Sequence, residues 1–387
     1  MKLKQIPEDF HVEELTDVAP GRDGEFALYR LEKVNWTTPD ALQIVSRQWN
    51  VPWKLLGYGG LKDRHAETVQ FVSIYRGPRR NLDQERMRLL YLGQVRQPFG
   101  SQDIRANRFR IVIRSLTVAE VPTFQKAIAD VSRAGVPNYF DDQRFGSVGA
   151  DGRFIGRELV FGRYEEGLKM ALAAPYEFDR ADAKEEKRIL IDHWNDWLTC
   201  KAKLPRGHAR SLVDYLVHHP TDFKGAIERL RPELQGIYLS AYQSELWNRV
   251  LAKWLRNAIP QEMLGEVVMQ RGPLPAPNAL PPEITERWEK LWLPLACPRY
   301  RPEPNDEGLP QLEEVLAEEG LTLKKLKLPG LNRPYFSKGE RRGCLKPEEM
   351  ASTEAVDELN GGKRKLILNF DLPRGSYATM VVKRIAG

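Results

Sequence analysis

Gly59-Gly60-Leu61-Lys62-Asp63-Arg64-His65-Ala66-Glu67-Thr68-Val69-Gln70 is the most informative stretch of this 387-residue chain. Two glycines make a tight turn that presents a Lys-Asp pair, and a run of strand character, Thr68 to Tyr75, follows at once. A carboxylate held at the mouth of a strand and flanked by Lys62 and Arg64 stays ionised beside the cations and sits on a rigid scaffold. Those are two properties of a catalytic group. The same residues are also ordinary turn formers, so the rest of the chain has to decide between the readings.

Outward from that stretch, residues 1–150 read as mixed α and β. Asp9 to Glu13 alternates like a strand, as does Glu25 to Leu31. Thr38-Pro39-Asp40 starts a helix, with Thr38 as N-cap and Pro39 at the first helical position. Asn107 to Arg114 alternates strictly: Phe109, Ile111 and Ile113 on one face, Arg108, Arg110, Val112 and Arg114 on the other. A helix from Val121 stops at Gly135-Val136-Pro137.

From Phe154 helical periodicity takes over, over Lys187–Trp197, Ala209–Val217 and Ile237–Asn257, broken by a proline-rich run, Pro273 to Pro282, and an acidic patch, Glu313 to Glu319. Strand texture returns at Lys365–Leu372, and Tyr377–Ile385 reads as a neighbouring strand. The expected fold class is α+β. The two ends of the chain, 1–153 and 341–387, build one domain with a mixed, largely antiparallel sheet, and a helix-rich domain, 154–340, is inserted between them.

Composition narrows the partner. Net charge is +6, distributed as +4 over residues 1–150, −1 over 151–340 and +3 over 341–387, so the ends together make a surface suited to a polyanion. Apolar runs fall far short of the ~20 residues of a membrane span. The N-terminus has no apolar signal region, and Cys200, Cys297 and Cys344 form no CxxC pair. These features point to a reducing, cytoplasmic location without a disulfide framework or structural zinc.

At the level of motifs the chain resembles the TruD family of tRNA pseudouridine synthases. The resemblance is carried in order by Lys4 with Pro7-Glu8-Asp9-Phe10, by Gly60-Leu61-Lys62-Asp63-Arg64-His65-Ala66 with Thr68 and Gln70, and by Asn107-Arg108-Phe109. It continues through Val136-Pro137-Asn138-Tyr139-Phe140 with Gln143-Arg144-Phe145-Gly146, Leu239-Ser240-Ala241 with Ser244 and Asn248, and Leu372-Pro373-Arg374-Gly375-Ser376-Tyr377-Ala378-Thr379. Tyr377 stands where many bacterial members have Phe, and Arg64 where Lys is common. The outer domain is well matched, while residues 155–235 and 258–335 do not align with the family pattern.

The resemblance implies the pseudouridine synthase catalytic domain, interrupted by a family-specific insertion (the TRUD domain) that closes an RNA-binding cleft. It implies isomerisation of uridine to pseudouridine in tRNA, at uridine 13 of the D-arm, or at another tRNA or mRNA uridine as in some relatives. Asp63 is then the catalytic carboxylate, acting as nucleophile on C1′ or as the base that removes a sugar proton; retaining glycosidases are a physical precedent for the first. Lys4 is the basic residue near it. The target base must be turned out of its stack, at a cost of a few kcal/mol, and restacking on an aromatic ring recovers ~1–3 kcal/mol. Phe109 takes that stacking role by resemblance, although by pattern it shares a core face with Ile111 and Ile113. Phe10 and Tyr377 line the pocket, Lys62 flanks Asp63, and Asn107 reads the uracil edge or holds Asp63.

Tyr139, Gln143 and Arg144 support the pocket. Arg76, Arg79, Arg80, Arg105, Arg108, Arg110 and Arg114, with Lys363, Arg364 and Lys365, are candidates for a phosphate-binding track, to which Arg144 is added; such contacts bring salt dependence rather than sequence specificity. No cofactor or metal is required, and nothing calls for more than a monomer. His218-His219 is no metal pair, because adjacent helical residues point ~100° apart. Trp247 and Trp254, seven apart on a helix, are core residues. The alternatives are an RNA-binding or RNA-folding module indifferent to Asp63, and a carboxylate–metal nuclease, which would need a second converging acid.

Overall fold

A computed structural model describes residues 1–149, 151–175, 179–278, 280–303, 306–331 and 336–387. The chain divides into two compact units, Met1–Val136 with Leu345–Gly387, and Pro137–Cys344. The sequence reading placed the divisions after 153 and 340 instead.

The first unit is one ten-stranded sheet. Its strands are Lys2–Leu3 (β1), Phe10–Leu15 (β2), Phe26–Val34 (β3), Leu56–Tyr58 (β4), Glu67–Tyr75 (β5), Leu82–Gln84 (β6), Met87–Val95 (β7), Ala106–Leu116 (β8), Glu348–Val356 (β9) and Arg364–Pro373 (β10). They lie in the order β9-β10-β8-β2-β5-β3-β7-β6, with β1 added to β8 and β4 to β5. All of these neighbours are antiparallel except β2 and β5, which run parallel with His11 opposite Glu67. The chain's last strands therefore sit beside its first, through β10 on β8 and β8 on β2.

Helix Thr38–Trp49 (α1) buries Thr38, Ala41, Leu42 and Val45, the one-sided spacing of an amphipathic helix. Ala41, Leu42 and Val45 pack with Ala27, Tyr29 and Leu31 of β3, Val72 and Ile74 of β5, and Met87 and Leu89 of β7. Each fully buried aliphatic side chain contributes roughly 1.5–3 kcal/mol. Thr37, not Thr38, is the N-cap: its hydroxyl accepts from Asp40 N at 3.1 Å. Thr38 is the first helical residue, and its buried hydroxyl is used elsewhere. Helix Val121–Ala134 (α2) ends at Gly135 with φ +68°, a conformation that favours glycine.

Three expectations for this unit are corrected. Tyr377–Ile385 is not a strand: Ala378–Ala386 is a helix (α3), with Ala378, Val381, Val382 and Ile385 buried at helical spacing. It packs on α2. The outer neighbour of β10 is β9, whose polar sequence and mostly exposed pattern suit an edge strand. Arg114 is not a solvated guanidinium. It is buried among Asp9 (2.8 Å), Asp357 (2.8 Å) and Glu358 (3.0 Å).

In the second unit the 27-residue helix Pro232–Ala258 buries Trp247 and Trp254. The acidic patch does not interrupt the helices. It lies largely on helix Leu309–Glu318, where Glu314 and Glu318 pair with Lys253, and Glu318 with Arg249. The expected helix Lys187–Trp197 is two: Ala181–Asp192, then Trp197–Lys203, capped by the Asp196 side chain. The proline-rich run forms part of a hairpin, Leu264–Met269 with Gly272–Pro277; its Ala279 lies outside the described residues. Helix His208–His218 ends between the paired histidines. Among the described residues, no helix is long and apolar enough to cross a membrane and no group of three or more His, Cys, Asp or Glu side chains is set to hold a metal.

Candidate active site

The Gly59–Ala66 loop is built by close approach and by buried hydrogen bonds. A Cβ on Gly59 would lie 2.3 Å from Ile104 Cδ1, so only glycine fits there without movement. The Gln70 side chain donates to Gly60 O at 3.3 Å, and the Thr38 hydroxyl accepts from Lys62 N at 3.0 Å while donating to Gln70 Oε1 at 2.8 Å. The turn is thus tied to the start of α1 and to β5 just before it presents Asp63.

Asp63 is accessible, with its side chain 43% exposed, and its Oδ2 accepts from Lys4 Nζ at 2.6 Å. Lys4 has a left-handed backbone, φ +49°, and its ammonium stands 3.8 Å from the centroid of the Phe10 ring. His65 joins the two segments further: one ring nitrogen lies 3.0 Å from Lys4 O, the other 3.3 Å from Asn35 Oδ1. Asp9, next to Phe10, accepts from Gln5 N and Ile6 N through Oδ2 and from Arg114 Nε through Oδ1. The aspartate of the Pro-Glu-Asp-Phe motif therefore shapes the Lys4 loop.

Lys62 is committed away from Asp63. Its ammonium meets Asn107 Oδ1 at 2.7 Å and Glu14 Oε1 at 2.9 Å, and buried Glu14 also accepts from Phe71 N. Asn107 is thereby fixed on β8. Phe109 is 7% exposed, with Phe10 edge-on at 6.0 Å and Phe370 stacked at 5.6 Å. Tyr377, half-buried, is the N-cap residue of α3.

The candidate phosphate track divides. Arg79 and Arg80 are exposed in the turn after β5. Arg76, also left-handed, pairs with Glu25 at 3.1 Å and lies over the Tyr75 ring. Arg108 grips Asp371 with two nitrogens at 2.9 Å each and reaches Glu349 at 3.2 Å. Arg110 is exposed and donates to Glu8 O. Arg105 pairs with Asp17, Arg364 with Glu354, and Lys365 with Glu358. In the second unit, Arg144 donates to the Ser244 hydroxyl at 3.3 Å and sits over Phe140. There Asn248 exchanges two hydrogen bonds with the Phe140 backbone, and buried Tyr139 donates to Pro275 O, its phenol pKa pushed far up by burial. The Asn138–Gly146 and Ser244–Asn248 motifs are thus knitted to one another.

Sequence reasoning missed Lys33. Its buried ammonium donates to Trp36 O at 2.7 Å and to Asp63 O at 3.1 Å. Burial pushes its pKa down to about 8; nearby Asp63 raises it and Lys62 lowers it. A signal exists in the sequence, because Lys33 falls on the same strand phase as Ala27, Tyr29 and Leu31.

Comparison with known proteins points to one family. Residues 1–385 match the family described as tRNA pseudouridine synthase D (TruD). A Methanococcus maripaludis protein assigned to tRNA pseudouridine synthase D is 32% identical over 100% of this chain and 99% of its own length. The tRNA pseudouridine synthase D of Aquifex aeolicus is 30% identical over 100% and 98%. The crystal structure of a Methanosarcina mazei protein assigned to the same family superposes with a TM-score of 0.75 at 26% identity, covering 99% of this chain and 93% of that one. Sequence over full length, the antiparallel sheet of the first unit and the motif residues gathered at its loops lead to one assignment: the chain belongs to the TruD family of tRNA pseudouridine synthases.

Proposed function

We propose that this chain isomerises uridine 13 in the D-arm of tRNA to pseudouridine, with Asp63 as the essential carboxylate. The observation that carries the reading is the Lys4–Asp63 pair at 2.6 Å, accessible yet mounted on two loops tied to the buried side chains of Asp9 and Thr38. The ammonium donates directly to the carboxylate, which either mechanism uses in its ionised form. In the reaction the C1′–N1 bond breaks, the base turns, a C1′–C5 bond forms, and the proton leaving C5 is balanced by one gained at N1. The change is an isomerisation, so no oxidant, reductant or group donor enters it.

The residues around the pair have distinct parts in this proposal. Phe10 and Phe109 form the apolar wall under the extruded base; Asn107, pinned through its carbonyl by Lys62, keeps its amide NH₂ as a donor for a uracil oxygen. Exposed Arg79, Arg80 and Arg110 meet backbone phosphates.

The test is tritium release from tRNA transcribed with 5-tritiated uridine, using wild type and Asp63→Asn. Release by wild type alone, with tRNA binding retained in the variant, supports the proposal; a uridine 13→cytidine transcript should then abolish release. No release by either protein, despite tight tRNA binding, would instead favour a binding or RNA-folding role.

A further inference from the structure

Along β3 the buried phase runs Ala27, Tyr29, Leu31, Lys33. The first three fill the core beneath α1, while the fourth places an ammonium where the side chain is 2% exposed. Burying an ammonium is unfavourable unless its donors are used, and an apolar side chain would fill the same space without that cost. The charge at this position therefore calls for a role. Its two acceptors are informative: Trp36 O lies just past the end of the same strand, and Asp63 O lies 30 residues away in the candidate active-site loop. Around it, Asn35 N donates to Ala66 O at 3.4 Å, and the Asn35 side chain lies 3.3 Å from His65. The end of β3 and the Asp63 loop are thus joined at three points, with Lys33 underneath and Lys4 on the carboxylate.

We propose that Lys33 is a positioning residue of the reaction: its protonated amine fixes Asp63 through the Asp63 carbonyl, and loss of that proton loosens the carboxylate. The inference rests on Asp63 being the essential carboxylate. The charged groups facing Lys33 are Asp63, which favours its protonated form, and Lys62, which opposes it. Its cross-strand neighbours, Thr68 on β5 and Met87 on β7, carry no charge. Burial holds the amine near pKa 8, so the charge-assisted bonds to the two carbonyls weaken as pH rises through about 8. Stability moves the other way. An amine whose pKa is lower folded than unfolded binds fewer protons in the folded state, so from this group stability rises between pH 8 and ~10. Activity and stability then part company over one pH range, which a merely structural lysine would not cause.

The experiment is single-turnover tritium release from pH 6.5 to 9.5 for wild type, Lys33→Met and Lys33→Arg, with tRNA affinity and urea midpoint measured alongside. Wild type should lose activity by up to about tenfold per unit above pH 8 while its urea midpoint does not fall. Lys33→Met should be slower at pH 7 by on the order of 10²-fold, with unchanged tRNA affinity and no alkaline limb near pH 8. Lys33→Arg, which stays charged, should shift that limb out of range; if the Met variant does not fold, the Arg profile alone decides. A wild-type rate in Lys33→Met, or an unchanged alkaline limb in either variant, overturns the proposal. Absence of release by wild type at every pH, or full activity of Asp63→Asn, instead sinks the reading beneath it.

Discussion

The Lys4 ammonium and the Asp63 carboxylate, 59 positions apart in the chain, meet at 2.6 Å, and a different buried side chain anchors the loop of each, Asp9 for Lys4 and Lys33 for Asp63. Because Lys4 is 28% and Asp63 43% exposed, solvent limits the pair to at most ~1 kcal/mol of folding stability. In the proposed reaction its effect belongs to orientation and charge at the reacting carbon. Lys4→Met should therefore leave the urea midpoint nearly unchanged and lower the single-turnover rate by roughly 10- to 150-fold, the worth of a charge-assisted hydrogen bond. A large drop in midpoint with little change in rate would contradict this division.

Asp9 should behave in the opposite way. It accepts three hydrogen bonds at once and faces buried Arg114. Asp9→Ala removes all three and should destabilise the chain by about 3 kcal/mol or more, read from urea unfolding with the slope unchanged. Activity of the fraction that stays folded should fall too, since the loop carrying Lys4 loses its anchor.

Gly59→Ala drives a methyl group into Ile104 Cδ1 at 2.3 Å. The expected cost is roughly 1–3 kcal/mol from overpacking. Ile104→Val removes that terminal carbon, so the double variant should be more stable than the sum of the singles predicts. A thermodynamic cycle that shows strict additivity would mean the loop moves aside freely.

Burial alone would raise the Asp357 carboxyl pKa. Hydrogen bonds from Ser115 N, Asn360, Arg114 and Leu359 N outweigh it and bring the value to about 2. A depressed acid stabilises the fold above its unfolded pKa near 4, and that contribution disappears as pH falls through 2. About 2 kcal/mol should be lost over this interval. Asp357→Asn should flatten that part of the acid-unfolding curve.

The arginines should separate in salt titrations of tRNA binding. Arg79→Ala and Arg80→Ala should each lower the slope of log K against log salt by about 1, one phosphate contact apiece. Arg108 is already paired with Asp371 and Glu349. Arg108→Ala should leave the slope in place and weaken the β8–β10 junction instead, seen as a lower unfolding midpoint.

Strand and helix phases were legible wherever one face is buried: Thr68–Tyr75, Asn107–Arg114 and Lys365–Leu372 all lie within observed strands. β9 was invisible because an edge strand buries little and needs no apolar alternation. α3 was misread because adjacent Val381 and Val382 favour a strand by propensity, while only the i, i+3, i+4, i+7 spacing from Ala378 reveals the helix. The ion pairs of Arg114 and the second acceptor of Lys33 could not be read at all. Their partners lie 30 to 244 positions away, and no local rule links them. Motif resemblance set Lys4 beside Asp63 and singled out Lys62 and Asn107, but it did not show that Lys62 holds Glu14 and Asn107.

The single parallel pairing in the sheet, β2 beside β5, has a directional consequence. Lys4 precedes β2 and Asp63 precedes β5, so both loops emerge from strand beginnings. Were these neighbours antiparallel like the others, one loop would leave from the opposite rim, a strand's length of roughly 20 Å away. The chain instead travels through β3, α1 and β4 before returning in the same sense, the long crossover that parallel neighbours require. That detour is what turns two residues far apart in the polypeptide into a pair at one end of the sheet.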